Sequence, residues 1–276
     1  MKIKYKNREP VLELKEREGV PFFSYPLLEN TGMVRHGFST RLGGVSKGHC
    51  ATMNINTTRG DDPAAIEENE RRIAAAIGVE RERMVFTRQT HTTNVAVVDE
   101  RHIRQALAET DGIITNTPGL CLVTFYADCV PLYFVDPVKR VIGLSHSGWR
   151  GTVHKMANVT VQKMQEVFGC EPSDLLAAIG PSICQDCYEV SEDVILKFRE
   201  NYREEDWDSL YYRKPNGKYQ LDLWRANERN LLEAGVKQEH IAVTNVCTCC
   251  NPELLFSHRV TGNERGTLSA FLALEA

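Results

Sequence analysis

No stretch of the 276 residues is apolar over anything close to the roughly 20 positions a membrane-spanning helix needs, so no membrane role is expected. Basic charge is also short. Lys and Arg number 33 against 37 Asp and Glu, a formal charge of -4 with a pI near 6.1, and so weak a field does not hold nucleic acid or an anionic membrane. The N-terminal lysines are not followed by the apolar run of an export signal. No Pro/Gly/Ser-rich linker and no internal repeat divides the chain. What remains is a globular chain, 42% hydrophobic, read as a single domain over 1–276 and as a monomer or homodimer acting on small molecules. Nine cysteines, an odd number, argue for reduced thiols serving as core residues or ligands, and hence for a cytoplasmic protein.

Residues 1–30 mix charge with short alternations such as Val11-Leu12-Glu13-Leu14, which predicts a strand pair or hairpin leading into the main body. Asp62 is placed to cap a helix with Pro63 at its first position, Gly78 just past its end, and Ile66, Ile73 and Ile77 on its buried face. Between Met84 and His146 the texture is β-rich, with strands predicted at 95–98, 112–114, 120–125, 132–135 and 141–144. Helices are predicted from about Thr152 to Phe168, from near Ser191, and from Asp222 to Gly235, with strands at 175–179 and 241–246. Strands clustered in mid-chain, with helices at uneven intervals, predict an α+β fold.

Three strings combine metal-ligating side chains with predicted strand ends: Thr87-Arg88-Gln89-Thr90-His91, Ala127-Asp128-Cys129-Val130-Pro131 and Ser145-His146-Ser147-Gly148-Trp149-Arg150-Gly151. Strand ends let distant segments converge. Two imidazoles and a thiolate leave one tetrahedral position open, as a catalytic zinc requires. The intervals of 38 and 17 residues match no compact zinc motif, and a lone cysteine on a β-rich segment is most often core, so spacing alone leaves both readings open.

The strings HGFSTRLGGVS from His36, RQTH to His91, YADCVPL to Leu132 and HSGWRG from His146 resemble the YfiH/laccase-domain (YlmD-like) family of purine nucleoside phosphorylases. The likeness continues through Gly60-Asp61-Asp62, Gly180-Pro181-Ser182-Ile183, Tyr188-Glu189-Val190, Cys247-Thr248 and Phe256-Ser257-His258-Arg259. It implies a zinc held by His91, Cys129 and His146. It also implies a layered α/β/β/α domain similar to that of toxin deamidases with a Cys-His pair. The activities it implies are phosphorolysis of adenosine, inosine, guanosine and S-methyl-5'-thioadenosine with inorganic phosphate, and hydrolytic deamination of adenosine.

For deamination, zinc lowers the pKa of a bound water toward ~7, and a nearby carboxylate moves protons. Asp128 is the candidate, although it reads equally as an acceptor that orients the Cys129 segment, and strand alternation would turn it to the opposite face. For phosphate, Arg41 in Ser39-Thr40-Arg41-Leu42-Gly43-Gly44 and Arg150 are the candidate cations, with structural roles for both left open. Trp149 is read as packing against the sheet. The family's Thr-Gly-Arg string is here Thr261-Gly262-Asn263-Glu264-Arg265, which leaves the role of its arginine open.

Three other chemistries compete. A laccase-like oxidase would need paired His-X-His strings, and the eight histidines contain none, although copper outranks zinc for nitrogen ligands and could load the same site in vitro as a side reaction. Cys129 with His146 could act as a metal-independent thiolate hydrolase. Cys184, Cys187, Cys247, Cys249 and Cys250 could form a closed thiolate-zinc module, but the Cys-X-Cys-Cys string lacks ribbon spacing, and neighbouring core or surface thiols are the default.

Overall fold

The computed structural model describes residues 2–6 and 11–275; positions 7–10 of the expected lead-in, with Met1, lie outside the described residues. Within that lead-in, Glu13–Arg17 and Val20–Ser24 pair as an antiparallel hairpin. Its two-residue turn puts Glu18 and Gly19 both at positive φ, the geometry whose twist matches the flanking strands.

The hairpin forms one edge of a seven-stranded mixed sheet. In spatial order its strands are Glu13–Arg17, Val20–Ser24, Val34–Ser39, Leu268–Leu274, Cys121–Tyr126, Met84–Arg88 and Ala106–Ala108. A six-stranded sheet runs Ile241–Val243, Leu176–Ile179, Val130–Asp136, Val141–Ser147, Gly112–Thr115 and Val95–Val97. The strand expected at 241–246 therefore stops at Val243. A small three-stranded sheet, Glu189–Val190, Tyr219–Leu221 and Tyr211–Arg213, lies outside both.

Side-chain alternation explains the layering. In neighbouring positions, Phe23, Leu122 and Leu272 face Tyr133, Val135 and Leu144 of the other sheet, while Phe22, Val123 and Phe271 turn outward onto Ile73 and Ile77 of the helix Pro63–Ile77. On the far side, Leu132, Phe134 and Ile179 pack beneath Val161, Met164, Ile195, Phe198 and Leu231 of the helices Met156–Phe168, Glu192–Asn201 and Leu223–Glu233. The result is helix, sheet, sheet, helix, the expected α+β arrangement. Helix Pro63–Ile77 is capped by the Asp62 side chain and ends at Gly78 in the left-handed region, as read from sequence.

One helix differs from expectation. The segment predicted from Thr152 to Phe168 is two helices, Trp149–Val153 and Met156–Phe168, separated at Lys155, whose φ is 60°. The Thr152 carbonyl accepts from Tyr202 Oη at 3.1 Å and Asn230 Nδ2 at 2.9 Å, which draws it off the helical ladder. Lys155 is held in its turn by Glu233 at 2.7 Å and by the Tyr202 ring. Those partners are distant in sequence, so no local breaker announces the break.

Candidate active site

The site forms where the chain crosses between the two sheets. His91 follows strand Met84–Arg88 of the first sheet; Cys129 lies in the connection from Cys121–Tyr126 to Val130–Asp136 of the second. His146 sits near the end of Val141–Ser147, and its register opposite Pro131 brings it beside Cys129. The ligand atoms of all three lie within 4.8 Å of one another, with Cys129 Sγ 3.9 Å from His91 Nε2 and the imidazole rings nearly perpendicular, 5.0 Å apart. This donor set could hold a metal ion and leave one tetrahedral position open. Space is reserved for it: a Cβ on Gly148 would lie 3.0 Å from His91 Cδ2 and 3.1 Å from Cys129 Sγ.

Asp111, fully buried, organises the set and was not singled out in the sequence. Its Oδ1 accepts from His91 N at 3.0 Å and lies 2.8 Å from His146 Nδ1. Its Oδ2 accepts from the backbone of Thr90 and Thr92, each at 3.0 Å, and from the Thr92 hydroxyl at 2.9 Å. The carboxylate thus folds the loop around His91, including the left-handed φ of 63° at that residue. It also keeps hydrogen on His146 Nδ1, so Nε2 is the free donor atom.

Electrostatics follow from this packing. Burial opposes ionisation of Asp111, but His146 and the Thr92 and Thr90 amides outweigh it and hold the carboxyl at about 2. Burial likewise pushes Cys129 upward, yet His146 and then His91 bring its thiol down to about 6. His146, opposed by burial, is raised to about 9 by Cys129 and Asp111. Without metal these opposite shifts favour the thiolate-imidazolium form of the pair between about pH 6 and 9.

The three side chains lie at one end of a cavity of about 720 Å³. Arg59, Arg88, Arg104, Arg265 and His258 line it, together with the stacked Phe86 and Phe125 rings, 6.2 Å apart. Among the described residues Arg104 is paired with Glu70, whereas Arg59, Arg88 and Arg265 form no ion pair; Arg59 spends Nε on the Arg265 carbonyl at 3.1 Å and Nη2 on the Asn263 carbonyl but, unlike Arg41, lines the cavity. Burial and then repulsion from Arg59 lower the pKa of Arg265, and its Nε is buried without a hydrogen-bond partner. Two mutually repelling guanidiniums beside a cavity suit an anion.

The expected phosphate cations lie elsewhere. Arg41 donates to the Ala51 carbonyl through Nε and Nη2 at 3.1 and 3.0 Å and to the Pro252 carbonyl at 2.9 Å, and its guanidinium covers the Phe256 ring. Arg150 lies over the Trp149 ring, outside the cavity lining. Asp128 also points away: Oδ1 accepts from Thr248 Oγ1 at 2.6 Å and Oδ2 from Arg259 N at 2.7 Å. With both oxygens engaged it anchors the Cys129 loop and does not face the cavity as a proton carrier. Trp149, expected to pack against the sheet, lies partly buried against the core shared by the six-stranded sheet and its helices.

A structure with this layering and this donor set has known relatives. The family model described as multi-copper polyphenol oxidoreductase laccase matches residues 35–275. Purine nucleoside phosphorylase YlmD of Geobacillus stearothermophilus is 38% identical over 245 residues, covering 86% of this chain and 88% of that protein. Adenosine deaminase RL5, from an unknown prokaryotic organism, is 34% identical over 238 residues, covering 83% and 90%. The crystal structure of YlmD from Geobacillus stearothermophilus aligns with a TM-score of 0.90 at 33% identity, covering 97% of this chain and 100% of that one. The chain belongs to this family of enzymes.

Proposed function

We propose that the chain is a zinc-dependent purine nucleoside enzyme. It cleaves adenosine, inosine, guanosine and S-methyl-5'-thioadenosine with inorganic phosphate, and it deaminates adenosine to inosine. The observation that carries this reading is the cavity itself: an open-sided His91, Cys129 and His146 donor set shares one space with arginines that have no ion pair among the described residues. The names of the relatives support the substrate class.

Two imidazoles, a half-buried thiolate and the gap kept by Gly148 fit a zinc ion. Bound there, zinc supplies a Lewis-acid centre. The chain's own residues do the rest. Arg59, Arg88 and Arg265 hold phosphate and offset its charge while its oxygen bonds to ribose C1' and the bond to the purine nitrogen breaks. Phe125 and Phe86 offer the flat apolar wall that a purine stacks on. His258 Nδ1 lies 3.0 Å from the Gly262 carbonyl and so carries its hydrogen there; with a second hydrogen on Nε2, the ring gives that proton to the departing base, which leaves as the neutral purine. No carboxylate lines the cavity among the described residues, so proton movement in deamination falls to His258 as well.

The thiolate-imidazolium pair favours a second reading, in which Cys129 is a nucleophile needing no metal. Zinc-loaded protein incubated with inosine and phosphate decides between them: hypoxanthine and ribose 1-phosphate should form, and a chelator should abolish both. Undiminished turnover of an amide substrate after chelation would favour the thiolate. Copper taken up by the same three residues in vitro would account for weak oxidase activity.

A further inference from the structure

Five cysteines outside the cavity, which the proposed reaction does not use, fall in two loops on the helical side of the six-stranded sheet. Four of them converge. The sulfurs of Cys184, Cys187, Cys247 and Cys250 all lie within 4.8 Å of one another. The string that reads as Cys-X-Cys-Cys is in space a Cys247-X-X-Cys250 pair meeting a Cys184-X-X-Cys187 pair, with Cys249 outside the group. We propose that these four thiolates form a second, closed metal site that takes a tetrahedral divalent ion of the zinc type and fixes the two loops behind Cys129; this does not depend on the nucleoside reading.

Geometry separates this from a chance group of core thiols. A tetrahedron with metal-sulfur bonds near 2.3 Å has sulfur-sulfur edges of about 3.8 Å. Cys187 Sγ and Cys250 Sγ are 3.5 Å apart, close to that edge and far beyond the roughly 2.05 Å of a disulfide. All four are free thiols. The backbone is arranged for charged sulfur: Cys247 Sγ accepts from Cys184 N at 3.2 Å and from Cys250 N at 3.4 Å. A short 3-10 turn, Gln185–Cys187, closes the first pair, and the Cys187 amide donates to the Cys184 carbonyl at 3.1 Å. Lys6, paired with Asp186 at 2.9 Å, brings positive charge to the same loop, and the Lys4 amide donates to Asn251 Oδ1 at 2.8 Å.

Four protein ligands complete a tetrahedron, so the site is structural and has no open position for substrate. Its place in the fold gives it a purpose. Thr248, inside the second pair, donates to Asp128 Oδ1, and Ile183, just before Cys184, donates its amide at 3.0 Å to the Asp128 carbonyl. Both loops therefore grip the residue beside Cys129. An ion joining them would hold Cys129 against its histidines from behind.

The test uses the full chain purified under reducing conditions and loaded with zinc alone, then with cobalt alone. Wild type should bind two ions per chain. A His91→Ala, Cys129→Ala, His146→Ala variant should keep one, with sulfur-only X-ray absorption scattering at about 2.3 Å and the charge-transfer spectrum of a cobalt tetrathiolate. A Cys187→Ser, Cys250→Ser variant should lose that signature and keep the mixed nitrogen-sulfur one. Should that variant fail to fold, wild type still decides, because alkylation of Cys184, Cys187, Cys247 and Cys250, read by mass spectrometry, should be blocked by zinc and restored by a chelator. Absence of sulfur-only scattering in the triple variant, or thiols whose alkylation zinc leaves unchanged, would each overturn the proposal, as would a Cys187–Cys250 disulfide in the freshly reduced protein. A single ion with sulfur-only scattering in wild type would count against the His91, Cys129 and His146 set instead.

Discussion

Replacing Asp111 by Asn tests the claim that one buried carboxylate both shapes the His91 loop and sets the His146 tautomer. The amide keeps one acceptor oxygen. If Nδ2 takes the place of Oδ2, it faces two backbone amides and the Thr92 hydroxyl, which are all donors. The cheaper orientation puts Nδ2 at Oδ1, where it faces only His91 N and His146 Nδ1. His146 then accepts at Nδ1 and carries its hydrogen on Nε2, the atom a metal would need. Loss of an outer partner of this kind costs about 10- to 100-fold in metal affinity, and competition against a chromophoric chelator should read that loss. Stability should also fall. The Asp111 carboxyl, held at about 2, stabilises the fold at neutral pH by about 2 kcal/mol. Because its folded pKa is depressed, the contribution is present above the ordinary carboxylate value near 3.8 and is lost as pH falls through about 2. Denaturant titrations of wild type and variant should therefore differ at pH 7 and converge toward pH 2. Unchanged zinc affinity in a folded variant would refute the tautomer argument.

Arg59→Ala and Arg265→Ala should each raise KM for phosphate at least tenfold while changing the deamination of adenosine less, as steady-state kinetics in both assays would read. Arg41→Ala should leave that KM unchanged and lower stability by about 1–3 kcal/mol, since it strands two carbonyls; urea unfolding checks it. Gly148→Ala should cut zinc occupancy without unfolding the protein, because the added methyl lands on His91 and Cys129. In chelator-treated protein, iodoacetamide should alkylate Cys129 at a steady rate from pH 8 down to about 6 and slow below it, whereas an ordinary thiol slows throughout that range.

The strand ends bearing His91, Cys129 and His146 were legible because each string pairs a ligand side chain with an apolar β-rich run, and the structure brings their donor atoms together. Asp111 was not, since one acidic residue ahead of Gly112-Ile113-Ile114 looks like any strand-bounding polar residue; its partners lie on a loop 20 positions away. Arg41 and Arg150 drew attention by standing in glycine-bearing strings, but the Arg41 guanidinium is bound to backbone carbonyls and the exposed Arg150 lies over the Trp149 ring, outside the cavity lining. Arg59 and Arg265 approach one another across more than 200 residues, which no local pattern encodes. The Cys247 to Cys250 pairing was hidden by Cys249, which breaks the visual spacing without joining the cluster. Strand Leu268–Leu274, buried on both faces at the middle of its sheet, lacks the alternation that marks half-buried strands.

The most direct test of the central claim is a product analysis of adenosine turnover by zinc-loaded wild-type protein and by His91→Ala, each with and without inorganic phosphate. Adenine and ribose 1-phosphate should appear only with phosphate, inosine should appear in either condition, and His91→Ala should form none of them. Adenosine left intact by the metal-loaded wild type, or cleaved equally well by His91→Ala, would contradict the assignment.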